Sequence, residues 1–185
     1  CLICHRLHDR QLCPDCFAGE LTRVERPCSN CGKPLMTDKL DGMCGNCGEM
    51  DLRWQSAHSL LAYTEASRDF LHAAKYYDQP KALEDLLDLI EENSPQGTDR
   101  RELIGIDPLE LDGLVPVPMH WKRGLGRGYN QARVIAEWLA RRINIPVLED
   151  VVVKVRETEN QAGLSRNQRL ENLRGAFELG ETDSE

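Results

Sequence analysis

The sequence predicts an α/β fold, a parallel sheet covered by helices, preceded by a small cysteine-rich zinc-binding module. Three observations lead there. All eight cysteines fall within the first 47 residues as four C-x-x-C pairs. Residues 114–143, LVPVPMHWKRGLGRGYNQARVIAEWLARRI, order a short apolar strand, a glycine-rich basic loop and an amphipathic helix. A second apolar run, VVVKV at 151–155, follows that helix, and strand, helix, strand makes a right-handed crossover. Two domains are expected, a metal module over 1–50 and an α/β domain over 51–185.

The cysteine pairs are Cys1/Cys4, Cys13/Cys16, Cys28/Cys31 and Cys44/Cys47. Two residues between thiolates let both sulfurs meet one tetrahedral metal, so eight cysteines make two four-thiolate zinc sites. Disulfides and an iron–sulfur centre are the alternatives, and four short-spaced pairs without a secretory signal favour zinc. Consecutive sites, 1–16 and 28–47, each close a short local loop, and a cross-braced pairing stays open. His5 and His8 are bystanders where eight cysteines are present. Gly32, Gly45 and Gly48 suit the tight turns that aim N–H groups at sulfur. The zinc role is structural, because a catalytic ion keeps an open position that four cysteines deny it. A 50-residue segment with few large apolar side chains is expected to rely on metal in place of a core. As a docking surface it offers Arg6, Arg10, Arg23, Arg26 and Lys33, but these are interleaved with acids.

Residues 51–59 form the junction. A short strand is expected over 58–63 and a helix over 65–77, with Phe70, Leu71 and Ala74 on one face. A second helix starts at Pro80, a residue suited to a first turn, with Leu83, Leu86, Leu87 and Ile90 inward and its acids on a solvated face. Residues 93–98 are turn-rich, and 99–112 are irregular and acidic.

The central stretch carries the chemistry. Gly124, Gly126 and Gly128 let the backbone turn N–H groups toward a ligand. Lys122, Arg123 and Arg127 add charge, and the positive end of the helix begins at Asn130, the expected N-cap. A phosphate or pyrophosphate fits such a cradle. A plain turn with solvated cations is the other reading, since the loop matches neither a Walker loop nor GxGxxG. Ala132, Ile135, Ala136, Leu139 and Ile143 recur at helical spacing and face a sheet, and Pro146 ends the helix.

After VVVKV comes a long polar excursion, RETENQAGLSRNQRLENLRGAF. Within it Ser165 and Gln168 have capping-box spacing and open a short helix. A polar excursion leaving a sheet beside a phosphate loop has the character of an active-site lid, or of an ordinary surface loop.

Of the 185 residues, 41% are hydrophobic and 29% charged, which fits an ordinary globular protein with room for one medium domain and a small one. No run approaches the roughly 20 apolar residues of a membrane span, so no membrane insertion is expected and the cytoplasm is the expected compartment. The net charge of −8 is unevenly spread: residues 81–112 hold ten acids against three bases, whereas 115–131 hold no acid. A cationic site on an acidic chain suits a small polyanion better than a long duplex.

The knuckle array, then FLHAAKYY, then VPVPMHWKRGLGRGYNQA, then RETENQAGLSRNQRLENLRGAF occur in the order of the ComF family, and the chain resembles that family over nearly its whole length. RGYNQA and QAGLS are the most specific segments. The resemblance implies a zinc-bearing module on a type I phosphoribosyltransferase-like domain, and a role in DNA uptake during natural transformation. It also implies that Arg123, Arg127, Gly128, Asn130 and Gln131 lie near a diphosphate, and that Lys154, Arg156, Gln161, Gly163 and Arg166 belong to a loop that closes over it. The ligand implied is 5-phosphoribosyl 1-diphosphate (PRPP), or another phosphorylated small molecule, with Mg2+. The family's ribose-phosphate motif, an apolar strand ending in two acids before a Thr- and Gly-rich turn, is expected after GAF. The sequence ends at GAFELGETDSE without it, and with no initiator Met at its start the expectation is that further residues carry the motif.

Two functions follow from the resemblance. One is a phosphoribosyltransferase that uses PRPP and Mg2+. The other is a non-catalytic adaptor, or single-stranded DNA-binding module, that docks a competence helicase through its zinc module.

Overall fold

The computed structural model describes residues 1–35, 42–47, 54–76, 79–94, 111–120 and 128–180. It divides into two compact units, one made of Cys1–Ala74 with Asp85–Asp107 and the other of Lys75–Glu84 with Pro108–Glu185.

In the first unit, helix α1 (Pro14–Glu20) starts directly after Cys13, with Pro14 in the first turn where its missing N–H costs nothing. Phe17 is buried on it, and Leu12 and Leu21 are buried on either side. The cysteine-rich segment thus contributes three buried apolar side chains, Leu12, Phe17 and Leu21, to the first unit. Each such side chain, when fully buried, contributes about 1.5–3 kcal/mol. Leu21 shares a small apolar cavity with Leu61, Phe70 and Leu86, residues far along the chain.

The stretch expected as a strand over 58–63 pairs back onto residues 22–24. Val24 donates to the Leu60 carbonyl at 3.1 Å, Ala62 donates to that of Thr22 at 2.8 Å, and Arg23 and Leu61 form an antiparallel bridge. Helix α2 (Glu65–Tyr76) opens on a reciprocal cap: Ser67 N–H donates to Thr64 Oγ1 at 3.2 Å, and Thr64 N–H donates to Ser67 Oγ at 2.8 Å. Phe70 and Ala74 are buried, but Leu71, expected on the same face, is 38% exposed.

Helix α3 (Pro80–Glu92) contributes Pro80–Glu84 to the second unit and its remainder to the first. Ala82, Leu83, Leu86, Leu87, Leu89 and Ile90 are all buried. Its acids do not form a uniformly solvated face, since Asp85 is only 2% exposed and accepts a hydrogen bond from Gln11 N–H. A buried carboxylate is tolerable only when hydrogen-bonded, and this one is.

In the second unit, Leu114 and Val147 form a parallel bridge, with Leu114 N–H donating to Pro146 at 2.9 Å and Leu148 N–H donating to Leu114 at 2.8 Å. Gly113 lies against Leu148, where any Cβ would collide with the leucine side chain. Between the bridged residues runs helix α4 (Gln131–Ile143). Asn130 caps it through Oδ1, which accepts from Ala132 N–H at 3.0 Å, while its Nδ2 donates to the Val117 carbonyl at 3.0 Å. That one side chain ties the helix start to the preceding extended segment. The helix ends on Asn144 in the left-handed conformation, two residues before Pro146. Its burial centres on Ala136 and Trp138, whereas Ile135 is 36% exposed.

The expected parallel strand at 151–155 is corrected. Strand β1 (Val152–Lys154) pairs antiparallel with β2 (Phe177–Leu179), in the register Val152–Leu179, Val153–Glu178 and Lys154–Phe177. Among the described residues the sheet is this two-stranded hairpin, and the parallel contact after α4 is made by Val147. The reason is coverage. An inner parallel strand needs both faces buried, but Val152–Lys154 is only half-buried and Val155 is 46% exposed. Between the strands, helix α5 (Arg166–Leu173) buries no residue. Its capping box is the one the sequence indicates, with Ser165 and Gln168 bonded reciprocally.

Replacing Asn130 by Ala should lower stability by about 1–2 kcal/mol, read as a shift in the denaturation midpoint, because it removes both the helix cap and the link to Val117.

Candidate functional site

The eight thiols gather into two groups. Cys1, Cys4, Cys13 and Cys16 have their sulfurs within 4.8 Å of one another, and so do Cys28, Cys31, Cys44 and Cys47. The grouping is consecutive and not cross-braced. Individual separations are 3.9 Å for Cys4–Cys13, 3.7 Å for Cys31–Cys44 and 3.5 Å for Cys44–Cys47. Four sulfurs about 2.3 Å from a central tetrahedral zinc stand about 3.8 Å apart, so the donor set fits that ion. Each group could hold a metal ion.

Local folding explains the convergence. In the second group residues 27–34 turn back on themselves, with Cys28 N–H donating to Lys33 at 2.8 Å and Leu35 N–H donating to Arg26 at 2.9 Å. Gly32 sits in that turn at φ 70°, a conformation costly for other residues. Backbone donors also reach sulfur: Cys13 N–H lies 3.4 Å from Cys1 Sγ, and Cys44 N–H 3.3 Å from Cys28 Sγ. His5 and His8 are exposed and belong to neither group.

The electrostatics of the bare thiols favour a cation. Although burial opposes it, Cys28 is drawn down to about 6 by the N–H groups of Cys44, Cys31 and Asn30. Its neighbour Cys47 is pushed up, first by its hydrogen bond with Cys31 and then by burial. In the first group, Cys4 is lowered chiefly by the Arg6 N–H, while burial and the thiols of Cys13 and Cys4 push Cys16 up to about 12. In the first group Cys4 is lowered and Cys16 raised, and in the second Cys28 and Cys44 are lowered and Cys47 raised, so thiols of opposite tendency share each group. A bound dication removes that conflict.

The predicted anion cradle is partly described. Arg123 and Arg127, with Lys122, Gly124 and Gly126, lie outside the described residues. Gly128 has φ 72°, and Asn130 and Gln131 form the start of α4. Gln131 Nε2 is buried with no acceptor among the described residues. Beside this turn a cavity of about 450 Å³ is lined by Met119, Gly128, Tyr129, Asn130, Arg133 and Glu137. Arg133 is already paired, at 2.8 Å to Glu137 and 3.0 Å to Glu149.

The polar excursion is an ordered arm. Lys154 Nζ donates to the buried Thr158 hydroxyl at 2.8 Å and lies 5.5 Å from the Phe177 ring centroid. Arg156 donates to the carbonyls of Asn172 at 2.9 Å and Arg174 at 2.8 Å, which satisfies the C-terminal end of α5. Asn172 in turn holds both backbone groups of Glu159, at 3.0 and 3.1 Å. Gly163 has φ 85° in the open turn before α5, Arg166 is the exposed first residue of that helix, and Gln161 Nε2 is buried without an acceptor among the described residues. The resemblance implied Lys154 and Arg156 in a loop that closes over a diphosphate; in this structure their hydrogen bonds run to Thr158, Glu157, Asn172 and Arg174. The sequence did not single out Asn172, Thr158 or Asp85, because a lone polar residue carries no periodic signal.

The two four-cysteine groups, each able to hold a metal ion, define a protein with candidate metal sites and a mixed helix-and-sheet secondary structure. The chain is similar to Competence protein F of Haemophilus influenzae, 30% identical over 162 residues, which cover 85% of this chain and 66% of that protein. It is also similar to DNA utilization protein YhgH of Salmonella typhi, 29% identical over 168 residues, and of Escherichia coli K12, 28% identical over 172 residues; in both cases 91% of this chain and 70% of the relative are covered. The chain belongs to the ComF family. It spans about two thirds of the length of these curated relatives. No protein-family model matches it, and no solved structure matches it with significance. Among the described residues no helix is long and apolar enough to cross a membrane.

Metal analysis of the purified protein should find about two zinc ions per chain, and stripping them with a chelator should abolish the cooperative unfolding transition of the cysteine-rich unit.

Proposed function

We propose that this chain is a phosphoribosyltransferase-type protein that binds PRPP or a related diphosphate with Mg2+, acts in DNA uptake, and carries two structural zinc ions in a module over residues 1–50. The observation that carries the diphosphate reading is the start of α4, where Gly128 at positive φ and the Asn130 cap deliver the chain from an extended segment into a helix N-terminus. The DNA-uptake reading is supported by the printed names of the relatives, competence protein and DNA utilization protein.

In ribosyl transfer the bond from ribose C1 to the diphosphate oxygen breaks while a nucleophile bonds to C1, and diphosphate leaves with the bonding pair. Charge grows on the leaving oxygens, so N–H donors at the start of α4 and the cations Arg123 and Arg127 stabilise the transition state more than the ground state. The arm over residues 154–177 shields the reaction from water, with Gln161, Gly163 and Arg166 on its outer turn and Lys154 and Arg156 bracing it.

The relatives' link to DNA also supports a second reading, in which the protein is a non-catalytic adaptor that holds single-stranded DNA or docks a helicase through the zinc module.

Calorimetry should detect PRPP binding that requires Mg2+, and Arg127→Ala should weaken it about tenfold or more without moving the unfolding midpoint. Absence of PRPP binding, together with salt-sensitive single-strand binding that is lost on zinc removal, would instead establish the adaptor.

A further inference from the structure

The loop between the two halves of the first thiol group is anchored on a helix far away in sequence. Residues 5–12 separate Cys4 from Cys13, and the end of this loop carries three consecutive contacts. Arg10 makes a bidentate pair with Glu92, Nη1 to Oε2 at 2.8 Å and Nη2 to Oε1 at 2.7 Å. Gln11 donates its N–H to Asp85, and Leu12 is fully buried. The Gln11 carbonyl accepts from Leu2 N–H at 2.7 Å, which returns the contact to the Cys1–Cys4 knuckle. Asp85 and Glu92 both lie on α3, seven residues apart, so one side of that helix holds the loop next to Cys13.

The second group is braced differently. Trp54 Nε1 donates to the Asn30 carbonyl at 2.6 Å, and the Gly32 turn packs so closely against residues 57–59 that a Cβ there would meet Ala57 O at 3.1 Å. Its supports come from the segment that follows it.

We infer that Asp85 and Glu92 are positioning residues for the first metal site and not for the second, so that metal occupancy at Cys1, Cys4, Cys13 and Cys16 is coupled to the folding of α3. With the loop pinned at Arg10 and Gln11, Cys13 is held near its bonding position before the ion arrives, and less conformational freedom is lost on binding. Linkage makes the coupling reciprocal: an ion that draws the knuckles together presents Arg10 and Gln11 to the helix. The inference rests on the proposal that the thiol groups bind zinc, and a measured content of about two ions per chain establishes that separately.

The test challenges the zinc-loaded full chain with a chelator and a thiol alkylating reagent, and reads modification peptide by peptide by mass spectrometry. Asp85→Ala should accelerate alkylation of Cys1, Cys4, Cys13 and Cys16 about tenfold and leave Cys28, Cys31, Cys44 and Cys47 at the wild-type rate. Asp85→Asn, which keeps an acceptor oxygen, should fall between. Conversely, Cys13→Ser should lower amide exchange protection over residues 85–92 of α3, and Cys28→Ser should not. Equal acceleration at both groups, or none, overturns the inference. Should Asp85→Ala fail to fold, Glu92→Gln, a change at a half-exposed side chain, decides by the same selectivity.

Discussion

Four thiols brought to contact distance cannot all ionise unless a cation joins them, and the local folding of the cysteine-rich segment turns on that constraint. Both groups show it as a split: one sulfur lowered by backbone N–H groups, another raised by burial and neighbouring thiols. Without a shared ion the chain would hold eight polar sulfurs among turns with little regular structure around them. With one, each group fixes four chain positions at once, and the short helix α1 and the Gly32 turn become stable consequences of that fixing. The apolar side chains of the same segment, Leu12, Phe17 and Leu21, can then be delivered to a core they could not reach from a floppy loop.

Helix α3 receives that delivery. A helix apolar on one stripe can lie on a surface, but α3 buries Ala82, Leu83, Leu86, Leu87, Leu89 and Ile90 and also carries a buried Asp85, so little of its circumference is left to water. Such a helix tolerates an acid only where a donor is fixed in advance. The donor here is a backbone N–H, which no side-chain rotation can withdraw.

What was legible in the sequence was local. The C-x-x-C spacing gave the four pairs and a count of two thiol groups, with the consecutive grouping favoured and settled only by the structure; Asn130 was readable as a cap from its place before a periodic run, and Ser165 with Gln168 had the spacing of a capping box. Signals of this kind depend on residues a few positions apart, which the chain itself enforces. What the sequence concealed was long-range. Nothing in VVVKV distinguishes an inner parallel strand from half of a hairpin, because the difference lies in what covers its second face. Asp85 reads as one acid among many until residue 11 is placed beside it, and Arg156 reads as a spare cation until the end of α5 arrives to accept its hydrogen bonds. At the candidate diphosphate turn the capped helix start was legible, but the standing pairing of Arg133 with two carboxylates was not.

The separation in sequence between the first thiol group and its anchor on α3 also bears on the time course of folding. Cys1 to Cys16 is a short segment whose closure requires only local chain diffusion, on the order of tens of nanoseconds for a loop of about ten residues. The contact between Gln11 and Asp85 spans 74 positions, so closing it costs more chain entropy. The knuckles therefore close over a much shorter loop than the contact with α3 does, and the preorganisation of Cys13 by that helix is gained only once the longer loop has closed.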